Sequence, residues 1–352
     1  MGIYKSQTYR EDLRTAVGAV VGIEKLEGKT ILITGATGTV GSFIADVLLQ
    51  YRHDSGENIG ICLAGRNPEA LRRRFSEGFS EEITFLPYDL SREIAFDVDV
   101  DYIIHAAGNA HPAAFNGDPT GTILGSIDGT YRLLEYGRTH GMKRFLYISS
   151  GEVYGKGDLS IEAFPEDYAG YIDTMSVRSS YPGGKRAAET LCACYAQQYG
   201  VEAVAARLCH TYGPVITGSD NRANAQFIRA GAAHENIVLK SKGSQMRSYC
   251  YAADTASAVL SVLLSGESGK AYNCANPGSR CTIAELAQCI ADCAGTRVIF
   301  ELPTDAEKKD FTPIPKQVLD SARLEGLGWK GQFTVREGVA RTLEIMKEAQ
   351  QE

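Results

Sequence analysis

The sequence predicts an α/β fold, in which a Rossmann-like, doubly wound parallel sheet carries a smaller mixed α/β lobe at its C-terminal side. Short apolar runs alternate with segments of helical spacing between residues 29 and 208. A glycine-rich stretch follows the first apolar run, and the alternation breaks down after Pro214. Strands that alternate with helices of this length form βαβ units, and such units build a parallel sheet.

The first two regions of the chain are an appendage and a main domain. Residues 7–22 have the spacing of an amphipathic helix, so we expect residues 1–28 to form a helical appendage that packs on the rest. Residues 29–214 are predicted to form the main domain. Its apolar runs predict strands at 30–33, 59–63, 83–86, 102–105, 145–148 and 204–208. Helical spacing predicts helices at 40–51, 68–75, 123–140 and 184–199.

The third region, residues 215–352, is predicted to form mainly the smaller lobe, which we expect to bind substrate. Parts of 248–276 are expected to return to the main domain. Helical spacing predicts helices at 224–234, 254–264, 283–294 and 335–350, and one apolar run predicts a strand at 237–239.

Composition and charge exclude several classes of protein. The 352 residues are 44% hydrophobic and 22% charged, which excludes a disordered or collagen-like chain. A net charge of -7 repels polyanions, so we expect no nucleic-acid partner. The apolar stretch 16–23 is too short to span a membrane. The nine cysteines lack the spacing of a disulfide framework or a metal site, so we expect reduced thiols, no metal and a cytoplasmic location.

A G-x-x-G-x-x-G stretch, residues 35–41, lies between the first predicted strand and its helix. Glycines there let backbone N–H groups approach a pyrophosphate at the N-terminus of a helix. The position therefore predicts binding of a dinucleotide. The residues expected to contact it are Gly35, Thr37, Gly38, Thr39, Val40 and Gly41.

The end of the second predicted strand favours NADP over NAD. NAD proteins usually carry an acid there for the ribose 2′-hydroxyl, but residues 62–67 contain no carboxylate. Arg66 stands where a guanidinium could bind a 2′-phosphate, although it could equally stack on the adenine. Asp89 and Leu90, after the third strand, could hold the adenine edge; the alternative for Asp89 is an ordinary turn residue.

Tyr181 and Lys185 form the only Y-x-x-x-K pair in the chain and begin a predicted helix. This spacing places both side chains on one helix face, where an ammonium lowers the pKa of a phenol. The phenolate could then take a proton from a sugar hydroxyl. Ser150 and Glu152 follow a neighbouring strand, at the sheet edge where ligands bind. Ser150 could bond the reacting oxygen and Glu152 could move a carbon-bound proton, unless they are a strand-end cap and a surface acid.

With these motifs, the chain resembles the extended short-chain dehydrogenases/reductases that modify nucleotide sugars, the epimerase/dehydratase family. The resemblance covers residues 29–343. It rests on the stretches 34–41, His105-Ala106-Ala107, 149–155, Tyr181 with Lys185, 207–214, 245–254, Tyr272-Asn273 and 327–329. Within this family Ala106 and Ala107 are expected to contact the cofactor.

The resemblance implies roles for several residues. Tyr181 would be the base that allows oxidation of the sugar at C4, while Lys185 lowers its pKa and holds the nicotinamide ribose. Ser150 would orient the C4 oxygen. Arg247 matches the family arginine that pairs with the pyrophosphate of the sugar nucleotide, and Asn224 lies in the loop that binds this nucleotide. The family usually forms homodimers through the helices predicted here at 123–140 and 184–199.

Several positions bear on which reaction of the family the chain carries out, and some of them depart from the family pattern. The pattern from His105 to His111 resembles the 4,6-dehydratases and makes His111 a candidate substrate contact. Glu152 matches the acid with which dehydratases and decarboxylases work near C5. However, the Asp that precedes it in one dehydratase group is Gly151 here, and His210 replaces the usual Asn. His210, also a candidate substrate contact, could supply the missing acid or be structural.

These observations predict an NAD(P)-dependent nucleotide-sugar epimerase/dehydratase. Glu152 would remove the C5 proton after oxidation at C4, as in 4,6-dehydratases. A nucleotide-sugar 4-epimerase and a decarboxylase are alternatives within the family. An NADPH-dependent carbonyl reductase and a non-catalytic NADP-binding protein are alternatives of other classes. The sequence does not identify the base or the sugar.

Overall fold

The structure, a computed structural model, describes residues 2–76, 78–79, 82–301, 303 and 314–350. The strands are β1 (Thr30–Thr34), β2 (Gly60–Gly65), β3 (Thr84–Pro87), β4 (Tyr102–His105), β5 (Arg144–Ser150), β6 (Glu202–Leu208), β7 (His210–Tyr212), β8 (Ile237–Leu239), β9 (Met246–Tyr251), β10 (Ala271–Cys274), β11 (Arg280–Thr282), β12 (Val298–Phe300) and β13 (Lys316–Gln317). Seven of these strands were predicted, and both ends of each lie within two residues of the predicted bounds: 30–34, 60–65, 84–87, 102–105, 144–150, 202–208 and 237–239.

The α-helices are α1 (Gln7–Ala19), α2 (Thr39–Ser55), α3 (Pro68–Phe75), α4 (Pro112–Gly117), α5 (Pro119–Thr139), α6 (Ser180–Tyr199), α7 (Ala223–Ala232), α8 (Ala252–Ser265), α9 (Ile283–Ala294), α10 (Ala322–Glu325) and α11 (Val335–Glu348). Proline occupies the first turn of α3, α4 and α5, where its missing N–H leaves no helical hydrogen bond unmade. Within the described residues no helix combines the length and the apolar character needed to span a bilayer.

The main sheet has seven parallel strands in the order β3-β2-β1-β4-β5-β6-β10. The chain first winds outward from β1 to β3 and then returns to place β4 on the other side of β1. The carboxyl ends of β1 and β4 are therefore neighbours, and Thr34 pairs in register with His105. Ligands of doubly wound sheets bind at such a switch point, so the fold directs attention to this edge.

Helices cover both faces of the main sheet. In β1 the alternating side chains enter two different cores: Ile31 and Ile33 pack with Phe43 of α2, whereas Leu32 packs with Leu133 of α5. The layer on one face consists of α2 and α8, and the layer on the other of α5 and α6, which also pack against each other. Because both faces are covered, the strands are almost continuously apolar.

The N-terminal helix α1 packs on α2 and α8 and ends at Ala19, three residues before the predicted end. Its side chains Tyr9 and Leu13 are fully buried. Tyr9 donates a hydrogen bond to Asp46 of α2. Its Asp12, also fully buried, accepts from Tyr251 of β9 and from Arg341 of α11. The helix thus contacts the main domain and the smaller lobe.

The smaller lobe is built around β9. Its neighbours are β11, which is antiparallel to it, and β7 and β13, which are parallel to it. A separate parallel pair joins β8 to β12, and α9 and α11 begin with capping boxes. Within residues 248–276 it is α8 and β10 that lie on the main sheet, while β9 belongs to the lobe.

Candidate active site

The glycine-rich turn between β1 and α2 lies against the end of β4. Gly35 has a φ of +70°, and a Cβ there would lie 2.7 Å from the backbone of Ala106 and Ala107. A Cβ at Gly41 would lie 2.5 Å from the carbonyl oxygen of Gly35. Only glycine allows this turn to be so tight, because any side chain would push α2 away from the switch point.

The first turn of α2 fits the pyrophosphate of a dinucleotide. Gly38 is the N-cap, and no side chain of the described chain caps this helix. Its first N–H groups therefore keep their hydrogen-bonding capacity, which together with the helix dipole favours an anion. Thr39 and Val40 are half-buried in this turn, and Thr37 is exposed beside it. The residues present thus fit the cofactor group that the sequence predicts.

A buried hydrogen bond fixes the segment beside this turn. Thr34 Oγ1 lies 2.9 Å from His105 Nδ1 and accepts a hydrogen bond from the N–H of Ala107 at 3.3 Å. Burial, assisted by the charge of Lys185, lowers the pKa of His105 to about 3. The imidazole is therefore neutral at physiological pH, and it positions the backbone of Ala106 and Ala107 next to Gly35.

The residues predicted to contact the adenosine end lie at the ends of β2 and β3. Arg66 directly follows β2 and is exposed. Hydrogen bonds from the N–H and hydroxyl of Ser91, at 2.9 and 2.7 Å, lower the pKa of Asp89, and Arg66 contributes to this effect. This is the contact of an ordinary turn aspartate. The carbonyl of Leu90 accepts a hydrogen bond from Arg132 at 3.0 Å.

Tyr181 and Lys185 are both buried and lie one turn apart in α6. Lys185 Nζ donates to the carbonyl of Ile148 at 2.8 Å and lies 4.6 Å from the ring centroid of Tyr147 and 5.8 Å from that of Tyr181. Burial lowers the pKa of Lys185 to about 8, against the opposing effect of Glu189. At pH 7 the side chain is therefore mostly an ammonium.

The pKa of Tyr181 is higher than expected from the sequence. Burial, together with the charge of Glu152, raises it to about 12. The hydroxyl of Ser150 and the charges of Arg222 and Arg178 oppose this rise. The expectation of a phenol whose pKa lies below its usual value is therefore wrong for this structure, because desolvation outweighs the neighbouring donors and cations.

Ser150 and Glu152 lie where β5 ends and a short 3₁₀ turn, Gly151–Tyr154, begins. Ser150 Oγ accepts the N–H of Glu152 at 3.2 Å, so this hydroxyl also caps the turn. The carboxylate of Glu152 is held by Nη2 of Arg178, at 2.8 and 2.6 Å from its two oxygens. Glu152 is thus an oriented, charge-balanced carboxylate beside Tyr181, and not a free surface acid.

Arg247 and His210 lie on the neighbouring strands β9 and β7. Arg247 is 3% exposed and donates to the carbonyls of Met246 at 2.9 Å and Ile314 at 2.5 Å. Both of these hydrogen-bond acceptors are uncharged. Burial, followed by the charges of Arg247 and Arg222, lowers the pKa of His210 to about 3. His210 is therefore neutral at physiological pH and cannot act as an imidazolium acid.

The other two predicted substrate contacts lie near this pair. His111 is the N-cap of α4, and its buried Nδ1 has no partner within the described residues. Burial raises the pKa of the nearby Asp220, but Arg222 and, to a smaller extent, His111 lower it, and the net shift is downward. Asn224 is 5% exposed and donates to the carbonyl of Thr211 at 3.1 Å, which ties α7 to β7.

Comparison with known proteins decides the family. The sequence pattern of the NAD dependent epimerase/dehydratase family matches residues 31–275, which is more than half of the chain. The chain belongs to this family. Relatives include the UDP-glucuronic acid decarboxylase 3 of Arabidopsis thaliana, 30% identical over 309 residues, which are 88% of this chain and 86% of that protein. The UDP-glucuronic acid decarboxylase 1 of Danio rerio is 30% identical over 322 residues, 92% of this chain and 73% of that protein.

Two solved structures share the fold. The UDP-glucose 4-epimerase of Thermotoga maritima, with UDP-glucose, has a TM-score of 0.74 and 21% identity, covering 90% of this chain and 98% of that one. The dTDP-glucose 4,6-dehydratase DesIV of Streptomyces venezuelae, with NAD bound, has a TM-score of 0.75 and 21% identity, covering 91% and 97%. The Rossmann-like fold is therefore confirmed.

Three residues of the site were not predicted from the sequence. Arg178 holds Glu152, and Phe115 stacks on Tyr181 with centroids 5.1 Å apart. Glu189 influences the pKa of Lys185 from the next turn of α6. A basic residue three positions before the tyrosine of a Y-x-x-x-K motif could have indicated Arg178. Phe115 left no comparable signal, because its contact depends on how α4 folds back.

Proposed function

We propose that the protein is an NAD-dependent nucleotide-sugar decarboxylase, which oxidises a nucleoside-diphosphate uronic acid at C4 and then releases its C5 carboxylate as CO₂. The observation that carries the nucleoside-diphosphate part of this proposal is Arg247, a buried guanidinium whose only partners within the described residues are backbone carbonyls. Buried charges are normally paired, so its environment favours an anionic ligand. The pyrophosphate of a sugar nucleotide, with which Arg247 is expected to pair, is such a ligand, and Glu152 lies close enough to affect the pKa of Arg247.

The residues of the site can carry out most of the reaction. Tyr181, once it has lost its own proton, is placed to take the proton of the C4 hydroxyl, with Ser150 as a hydrogen-bond partner of the same oxygen. Burial opposes this ionisation, whereas Ser150, Arg222 and Arg178 favour it. The cofactor, when bound at the glycine-rich turn, would accept the hydride from C4 and later return it. A 4-keto group next to a C5 carboxylate makes a β-keto acid, so the C5–C6 bond breaks and its electron pair passes to the C4 oxygen as an enolate.

The second half of the reaction restores the sugar. Carbon C5 of the enolate must gain a proton that comes from water, and we assign its delivery to Glu152, which would first take that proton itself. Return of the hydride to C4 and of the proton from Tyr181 to the C4 oxygen regenerates the alcohol. The balance is loss of one CO₂ and uptake of one proton, and the cofactor ends in the state in which it began.

The same geometry weighs against the 4,6-dehydratase, the subtype that the sequence first suggested. Elimination of water at C6 requires an acid, but Gly151 has no side chain and His210 is neutral. The relatives named as UDP-glucuronic acid decarboxylases support the decarboxylase. A 4-epimerase remains the second candidate, because Ser150, Tyr181 and Lys185 suffice for its chemistry.

Two further parts of the proposal concern cofactor and assembly. Family membership supports NAD, while the exposed Arg66 after β2 supports acceptance of NADP as well. We further propose a homodimer through α5 and α6. Leu124, Tyr131 and Tyr199 of these helices are each about half exposed, at 49%, 50% and 48%. Apolar side chains so exposed on two adjacent helices are typical of an interface.

The experiment is incubation of the purified protein and NAD with UDP-glucuronic acid, UDP-glucose and dTDP-glucose, followed by mass spectrometry. Release of CO₂ from UDP-glucuronic acid, absent in Tyr181→Phe, is the expected result. Loss of water from either glucose nucleotide would show a dehydratase, and an isomer of unchanged mass would show an epimerase. Either outcome without CO₂ release would overturn the decarboxylase.

A further inference from the structure

Arg178 stands in contact with two parts of the active site at once. It lies in a 3₁₀ turn, Val177–Ser179, immediately before α6. Its Nη2 contacts both carboxylate oxygens of Glu152, and the two side chains are only 27% and 16% exposed. Partial burial makes such a charge-assisted contact stronger than an exposed ion pair.

The same guanidinium lies over an aromatic ring. Its Cζ is 4.5 Å from the ring centroid of Phe115, and Phe115 in turn stacks on Tyr181 with centroids 5.1 Å apart and planes 19° apart. Phe115 is 2% exposed, so this layer is almost closed to water. The guanidinium thus contacts the phenyl ring, the phenyl ring contacts the phenol, and Glu152 is bound to the guanidinium.

Charge adds to this arrangement. Glu152 raises the pKa of Tyr181, and Arg178 is among the groups that lower it. Arg178 contacts the carboxylate of Glu152 directly, so it offsets the repulsion between Glu152 and a developing phenolate. With a neutral side chain at position 178, only Ser150 and Arg222 would oppose that repulsion.

We propose that Arg178 is a positioning residue, which fixes Glu152 and, through Phe115, the ring of Tyr181. This inference deepens the proposed function and rests on its use of Tyr181 as the base. Arg178 would then link the two steps of the reaction, because it holds both Tyr181, the proposed base at C4, and Glu152, the proposed group for C5.

The first test is the pH dependence of turnover with UDP-glucuronic acid in Arg178→Gln and Arg178→Lys. Arg178→Gln is expected to lower kcat about one hundred-fold, the loss typical of a misplaced reacting group, and to move the acid limb of kcat/KM to higher pH. Arg178→Lys keeps the charge but loses the planar stack, so it should restore the acid limb and only part of kcat. Loss of activity by the same factor at every pH, with the acid limb in place, would refute the positioning role.

Arg72→Gln is the matched control. Arg72 also pairs with a glutamate, Glu69 at 3.5 Å, and lies over a ring, that of Phe85 at 5.3 Å, but at the far edge of the main sheet. It should leave the profile unchanged.

A second readout does not need turnover. In protein labelled with ¹³C at tyrosine Cζ, the signal of Tyr181 is identified by its loss in Tyr181→Phe. Arg178→Gln and Phe115→Leu should both displace this signal, and Arg72→Gln should not. If the wild type processes no nucleotide sugar but the displacement is found, the proposed function fails and the positioning role stands. If the signal does not move, the positioning role fails whatever the activity.

Discussion

His210 gives the stability of the protein a defined dependence on pH. Its folded pKa of about 3 lies below the usual value of 6.5, because burial and two arginines disfavour the imidazolium. Below pH 6.5 the unfolded chain therefore binds a proton that the folded chain does not bind, so the free energy of unfolding falls as the pH falls. Integrated from pH 7 to pH 5, this one group removes about 2 kcal/mol of stability.

The informative variant is His210→Asn, which replaces the imidazole by an amide that does not titrate. The free energy of unfolding is measured by urea denaturation at pH 7, 6 and 5. The wild type should lose about 2 kcal/mol more than the variant between pH 7 and pH 5. The remaining loss includes that of His105, whose pKa is also lowered to about 3 and which is present in both proteins.

The control is His234→Asn, at an exposed position with a φ of 55°, a conformation that Asn accepts readily. Its pH dependence should match that of the wild type. If His210→Asn loses stability with falling pH as steeply as the wild type does, then His210 is not buried as a neutral group, and the argument against an imidazolium acid fails with it.

Three other changes test the site and the scaffold. Gly41→Ala places a Cβ 2.5 Å from a carbonyl oxygen, so calorimetric titration should show NAD binding weakened about tenfold to one hundred-fold, and an unchanged Kd would contradict the role of the turn. Burial lowers the pKa of Lys185 from 10.5 to about 8, and Glu189 opposes this fall. Glu189→Gln should therefore lower this pKa further and move the alkaline limb of kcat/KM to lower pH. A limb that stays in place would contradict this prediction. Arg341→Met leaves the buried Asp12 without its cation, so the free energy of unfolding at pH 7 should fall by about 3 kcal/mol, whereas a loss below about 1 kcal/mol would indicate that Tyr251 alone satisfies the carboxylate.

Six of the seven strands of the main sheet could be predicted from the sequence because each is a short apolar run. The seventh, β10, was not predicted as a strand, because its four residues include the polar Asn273. The lobe sheet could not be predicted. β9 has no simple alternation, and its partners come from residues 210–212, 280–282 and 316–317, which are far apart in the chain. A strand whose neighbours are so distant is defined by tertiary contacts and not by local pattern. The short helix α4 was missed for a similar reason, since its six residues carry too little periodicity.

In the active site, the parts that depend on local spacing could be predicted and those that depend on distance could not. The glycine-rich turn and the pair Tyr181 and Lys185 are local motifs, and the structure places them as their spacing implies. The ion pair of Glu152 with Arg178 joins residues 26 positions apart. The pKa of Tyr181 depends on burial, which the motif does not reveal, and for this reason even the direction of its shift was predicted wrongly.

The position of α1 has a consequence for how the chain is made. The helix is synthesised early, yet the side chain of its Asp12 is satisfied by residues 239 and 329 positions later. Until Arg341 has left the ribosome, the apolar face of α1 lacks part of its binding surface and Asp12 lacks its cation. Closing contacts over so long a chain is slow. We therefore expect the N-terminal helix to dock last during biosynthesis, and truncated nascent chains to hold it undocked and sensitive to proteases.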